Sequence, residues 1–174
     1  MKKLSKKYKE IMKLKFAIGL LAVLIILAGV FPGFRASMMD SLSAIYASVL
    51  VNLTNRDRAA QNLSELKINP LLEKAAQFKA DDMATRGYFA HNTPEGLTPW
   101  YWLTRVGYEY KYAGENLAVN FVNSEDIQTA WANSRGHWLN IINPKYTEIG
   151  IATSTGIYKD REAIFVVQMF GAPR

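Results

Sequence analysis

His91 and His137 are the only imidazoles in a chain that has no cysteine. His91 follows Phe89-Ala90 and opens a loop rich in Asn, Thr, Pro and Gly, and His137 directly follows Gly136. Between them stands Glu115, inside Gly114-Glu115-Asn116, where the glycine permits a turn or the close approach of another segment. Two neutral imidazoles and a carboxylate are a sufficient donor set for a divalent metal such as zinc, with water in the open place. A metal held by His91 and His137 would acidify a bound water, and Glu115 would serve as its base. A metal-free alternative is a Ser134–His137–Glu115 triad, because positions 134 and 137 lie one helical turn apart. Taken singly, each of these residues is more often structural than functional, and the spacing is not that of a helical His-Glu-x-x-His pair. The expectation rests on the three meeting in one cleft, which sequence distance alone does not guarantee.

The elements that must bring them together are marked by period and punctuation. From Leu42 to Asn62, the apolar positions Ile45, Val49, Leu50 and Leu53 recur at helical spacing, turning polar at Asn55 to Arg58. Asn69-Pro70 caps and starts a second helix that carries Leu71, Leu72, Ala75, Ala76, Phe78, Ala80 and Met83 and stops at Gly87. Thr98-Pro99 opens a third, ending at Gly107, and Ser124-Glu125-Asp126 a fourth, with acids at its positive end. A further helical turn runs over Gly136 to Ile142 and must stop near Pro144. The period then changes. Ile149, Ile151 and Thr153 alternate as in a strand, and Ala163 to Phe170 is a nearly continuous apolar run, with 155–161 linking the two as a hairpin. A strand without a polar face belongs in the centre of a sheet covered on both sides. The expected class is α+β, a three-layer α/β/α sandwich around a small antiparallel central sheet.

The net charge of +6 hints at nucleic acid, but its location removes the hint. Residues 1–35 carry eight basic residues against Glu10 alone, so the rest of the chain is close to neutral and lacks a basic footprint for phosphates. The lysines precede Phe16–Phe34, an uncharged apolar run of 19 residues, which as a helix spans roughly 28 Å, close to the hydrocarbon thickness of a bilayer. Residues 1–15 are thus expected in the cytoplasm, 16–34 as a single-pass transmembrane signal anchor, 35–48 as a juxtamembrane linker or helix start, and 49–174 as one extracytoplasmic domain. Cleavage as a signal peptide, which would secrete the domain, is the alternative. Its small-x-small site is Ser41-Leu42-Ser43, late after the apolar run. Without cysteine there is no disulfide framework and no thiolate chemistry.

One series of short motifs, in order, resembles the CAP superfamily of cysteine-rich secretory proteins, venom antigens and plant pathogenesis-related proteins. These are Asn52 to Arg56, Asn69-Pro70-Leu71-Leu72, Tyr88-Phe89-Ala90-His91, Gly114 to Ala118, Trp131 to Ser134, Gly136 to Ile142, Ile149-Gly150 and Val167 to Gly171. The resemblance implies an α/β/α sandwich whose cleft carries two histidines and two acids and, in several members, a divalent metal, often zinc. By motif, His91, Glu115 and His137 match three of the four. The fourth acid would fall three residues after Trp131, at Ser134, which removes a charge and a base. The lack of cysteine is similar to bacterial exported SCP-like members. What this implies is a non-catalytic, membrane-anchored module whose cleft binds a metal and a small ligand, lipid, glycan or protein partner. A metal-dependent peptidase or cell-envelope hydrolase is the alternative. The aromatics Trp100, Tyr101, Trp102, Tyr108, Tyr110 and Tyr112 are candidates for ligand contact, with part of them expected in the core. Of the residues beside His137, Trp131 and Leu139 are expected to pack.

Overall fold

The structure, a computed structural model, describes residues 13, 15 and 47–174. The expected anchor, most of the juxtamembrane stretch and all of the expected cytoplasmic segment but residues 13 and 15 lie outside those residues. Among the described residues no helix is long and apolar enough to cross a membrane.

Residues 47–60 form helix α1. Strand β1 is Lys67–Ile68, helix α2 Pro70–Arg86, helix α3 Trp100–Arg105 and strand β2 Tyr110–Val119. Helix α4 is Ser124–Asn133, helix α5 Arg135–Ile141, strand β3 Glu148–Tyr158 and strand β4 Arg161–Pro173. The punctuation of α2 is as expected. Asn69 accepts from the amides of Leu71 and Leu72, Pro70 occupies the first turn, and Gly87 ends the helix in the left-handed region at φ 68°. The cap of α4 falls one residue earlier than expected, on Asn123, whose side chain accepts from the Asp126 amide.

The sheet order is β1-β3-β4-β2, with β4 inside. Side chains alternate across β4 and both of its faces are covered, which explains why the run from Ala163 to Phe170 is apolar but for Gln168. Phe165, Val167 and Met169 join the core under α2 and α3. Val166 and Phe170 join a second core with Leu50, Ile127, Trp131 and Ile141, from α1, α4 and α5. Helices therefore cover both faces, in three layers. The sheet is mixed, not antiparallel throughout: β2, β3 and β4 pair antiparallel, while β1 runs parallel to β3. A two-residue strand is too short to carry a period, and here it is made by Lys67 N–H donating to Thr147 O and Asn69 N–H to Ile149 O. The hairpin is tighter than the expected 155–161 link. Pairing continues to Tyr158–Arg161, leaving only Lys159 and Asp160 in the turn, both at positive φ, as a type I′ turn requires.

Helix α2 lies directly on β3. A Cβ on Gly150 would come 2.2 Å from the backbone of Leu72 and Glu73, and one on Gly156 would come 2.3 Å from Ala84 O. This contact fixes α2, and with it the loop that carries His91.

Candidate functional site

His91, Glu115 and His137 line one cleft of about 500 Å³, together with Trp100, Ser134 and Asn140. The expectation that three distant segments converge is met, although Gly114-Glu115-Asn116 lies within β2 and does not form a turn. Gly114 is there because Tyr146 passes over it: a Cβ would meet the tyrosine hydroxyl at 2.4 Å and Asn140 Oδ1 at 3.1 Å.

β2 is an edge strand, yet it is not open to another strand. Alternate carbonyls along it are taken by side chains: Tyr146 O–H donates to Ala113 O, Asn140 Nδ2–H to Glu115 O, and Trp131 Nε1–H to Leu117 O. These three bonds blunt the edge and seat α4 and α5 beside it. His137 thereby sits in the first turn of α5, next to the strand that holds Glu115. The far end of α5 is held by Arg58, a fully buried cation that donates to the carbonyls of Ser64, Ile141, Asn143 and Tyr146.

The His91 loop is strapped to one face of α2, at positions 79, 82 and 86. Lys79 Nζ donates to Ala90 O at 2.8 Å, His91 O at 2.9 Å and Tyr88 Oη at 3.2 Å. Tyr88 donates to Asp82, and Arg86 pairs with Glu95. The loop so held presents His91 Nδ1 to Glu115 Oε1 at 2.6 Å. The histidine side chain is 56% exposed and the glutamate 2%. Burial pushes the Glu115 carboxyl up, against the hydrogen bond from His91 and the charge of Lys79. The same hydrogen bond raises His91. Burial lowers His137, and the charge of His91 lowers it further, which favours the neutral imidazole that ligates metals.

Glu115 Oε2 and His137 Nδ1 are buried without a hydrogen-bond partner among the described residues. A buried polar atom without a partner is costly, so each of these two atoms calls for one. Among the described residues no three His, Asp or Glu side chains stand as a preformed metal cage. The two imidazoles that line the cleft are fewer than the four protein ligands of a closed structural site. Ser134 lines the cleft as the residue between α4 and α5, and its hydroxyl makes no bond to either imidazole among the described residues. The Glu115 carboxylate serves His91 and not His137, so the Ser134–His137–Glu115 relay is not assembled.

Of the aromatics, Trp100 lines the cleft and Tyr101 is exposed, while Trp102 and Tyr108 belong to the core. Trp131 packs as expected, with its ring near that of His137, whereas Leu139 is 54% exposed. Lys79 and Asn140 shape the site without being among the candidate ligands or catalytic groups. The signal for Lys79 is its place on the apolar stripe of α2, three residues after Ala76 and four after Ala75.

The fold and this cleft define a three-layer α/β/α module with two histidines and a buried glutamate in one cleft. Residues 51–170 match the cysteine-rich secretory protein family, CAP, and the chain belongs to it. The chain is 38% identical over 135 residues to the uncharacterized protein YkwD of Bacillus subtilis, covering 78% of this chain and 50% of YkwD, so it spans about half of that relative. Among solved structures it resembles an extracellular SCP-domain protein from Bacillus anthracis, with a TM-score of 0.67 and 28% identity, over 76% of this chain and 42% of that one. It also resembles an outer surface protein from Borrelia burgdorferi, with a TM-score of 0.63 and 27% identity, over 73% of this chain and 92% of that one.

Proposed function

We propose that the chain is a membrane-anchored extracytoplasmic binding module whose cleft takes a divalent metal such as zinc through His91 and His137. A small ligand, lipid, glycan or protein group completes the site. The observation that carries the reading is the 2.6 Å contact between His91 Nδ1 and the nearly inaccessible Glu115. A carboxylate that holds one ring nitrogen fixes the tautomer and leaves the other nitrogen as the donor, the arrangement by which proteins orient metal-binding histidines. Glu115 is on this reading chiefly an orienting group, with Oε2 available as a further donor. A bound metal would supply Lewis acidity to whatever ligand sits beside Trp100. The placement outside the membrane rests on the lysines before the apolar run 16–34. It is supported by the extracellular and outer-surface descriptions of the solved relatives.

Calorimetric titration of zinc into the full chain in detergent micelles tests this. One site is expected, weakened at least about tenfold by His91→Ala and by His137→Ala. Equal binding by wild type and the double variant would end the metal reading. The hydrolase alternative is supported by the burial that raises Glu115 toward the range of a useful base. It predicts turnover of a peptide or cell-wall glycan that disappears in Glu115→Gln. Zinc binding without any Glu115-dependent turnover would leave the binding module.

A further inference from the structure

We infer that Lys79 and Asn116 are positioning residues that set the two imidazoles against each other, each by holding the main-chain carbonyl of one histidine. This rests on the reading of the cleft as a two-imidazole site. Both residues are fully buried, and both reach behind the cleft and not into it. Lys79 Nζ has three protons and three acceptors: Tyr88 Oη, Ala90 O and His91 O. An ammonium with every proton taken has no lone pair for a ligand and no donor left for one. A buried charge is costly unless it is fully hydrogen-bonded, and this one is matched to two carbonyls of the His91 loop.

Asn116 does the same for His137. Its Nδ2 group donates to His137 O at 3.2 Å and to Gln168 Oε1 at 2.9 Å, and its Oδ1 accepts from Asn140 Nδ2 at 2.9 Å. The orientation of this carboxamide is not free. Gln128 Nε2–H donates to the Asp57 carboxylate, and Thr54 Oγ1–H donates to Gln128 Oε1. Gln168 Nε2–H donates to Thr54 Oγ1, which leaves Gln168 Oε1 to accept from Asn116. The Asp57 carboxylate accepts from Gln128, and this half-buried group sets the direction of every amide along the chain. Asn140 passes that order on to Glu115 O. The His137 carbonyl is therefore held by a network anchored on α1, α4 and β4, while the His91 carbonyl is held by α2. The two halves of the site are set from opposite faces of the sheet.

The test uses the full chain labelled with ¹⁵N-histidine, which gives signals from two imidazoles only. In the metal-free protein the short His91–Glu115 bond is expected to give a low-field Nδ1 proton. Lys79→Met should abolish that proton and weaken zinc binding by about 10–100-fold. Asn116→Ala should weaken zinc comparably, move the His137 ring signals and keep the His91 proton. This split separates positioning from general loosening. Glu95→Ala removes only the exposed ion pair to Arg86 at the far end of the same loop and should move both readings far less than Lys79→Met. Lys79→Gln and Gln168→Met replace the first two variants if those fail to fold, with the same assignment of signals. The inference is overturned if folded variants keep wild-type signals and affinity, if both variants lose both signals together, or if Glu95→Ala matches Lys79→Met. Failure of wild type to bind zinc would sink the proposed function, while the metal-free signals would still decide this one.

Discussion

Gly114→Ala is the sharpest local probe of how the cleft is built. The new methyl would meet Tyr146 Oη at 2.4 Å, its Cζ at 2.9 Å and Asn140 Oδ1 at 3.1 Å. The ring has no room to yield. Tyr146 is 6% exposed, stacks on Phe170 with ring centroids 5.3 Å apart, and has its own carbonyl held by Arg58. Overpacking of this kind costs about 1–3 kcal/mol. Losing the bond from the Tyr146 hydroxyl to Ala113 O, 3.0 Å in the native chain, adds about 1 kcal/mol. The total of about 2–4 kcal/mol corresponds to a fall in midpoint of about 8–16 °C at about 4 °C per kcal/mol. Thermal unfolding followed by tryptophan fluorescence measures the fall in midpoint, and urea unfolding the free energy. Tyr146→Phe removes the closest contact, so the double variant should cost less than the sum of the singles by about 1 kcal/mol. Costs that add to within about 0.5 kcal/mol would refute the argument that the two groups collide.

Gly150→Ala and Gly156→Ala should each destabilise more than Gly114→Ala, because they collide with the backbone of α2 and not with a side-chain end. Gly136→Ala, whose Cβ meets nothing within 4 Å, should stay within about 0.5 kcal/mol of wild type in the same denaturation assay. In a histidine NMR titration His91 should titrate above 6.5 and His137 below it, and the reverse order would contradict the assigned hydrogen bond. The stability signs are opposite. The His91 contribution is full below pH 6.5 and is lost as pH rises through its raised folded value. That of His137 is present above 6.5 and is lost as pH falls toward its lowered one. Urea midpoints of His91→Gln and His137→Gln across that range check both.

The sequence announces α2 through its caps and β4 through its apolar run, because both depend on local rules. It hides β2. Gly114, Glu115 and Asn116 look like a turn by composition, yet the glycine is there for the approach of Tyr146. The two polar residues are buried against His91, Gln168 and Asn140. β1 is hidden for another reason, since its bonds are made by two residues and a distant strand. His91, Glu115 and His137 were legible as a set because the chain has so few imidazoles, and their convergence was not, since it is made by long-range pairing of β2 with β4 and by α2 packing on β3. Arg58 reads as part of the polar stretch 55–58 until its carbonyl partners are known.

The most direct test of the cleft is a zinc titration of the ¹⁵N-histidine-labelled chain watched by NMR. With two histidines in the whole chain, both imidazoles should shift together and saturate at one equivalent of zinc. A response from only one ring, or from neither, would contradict a shared site.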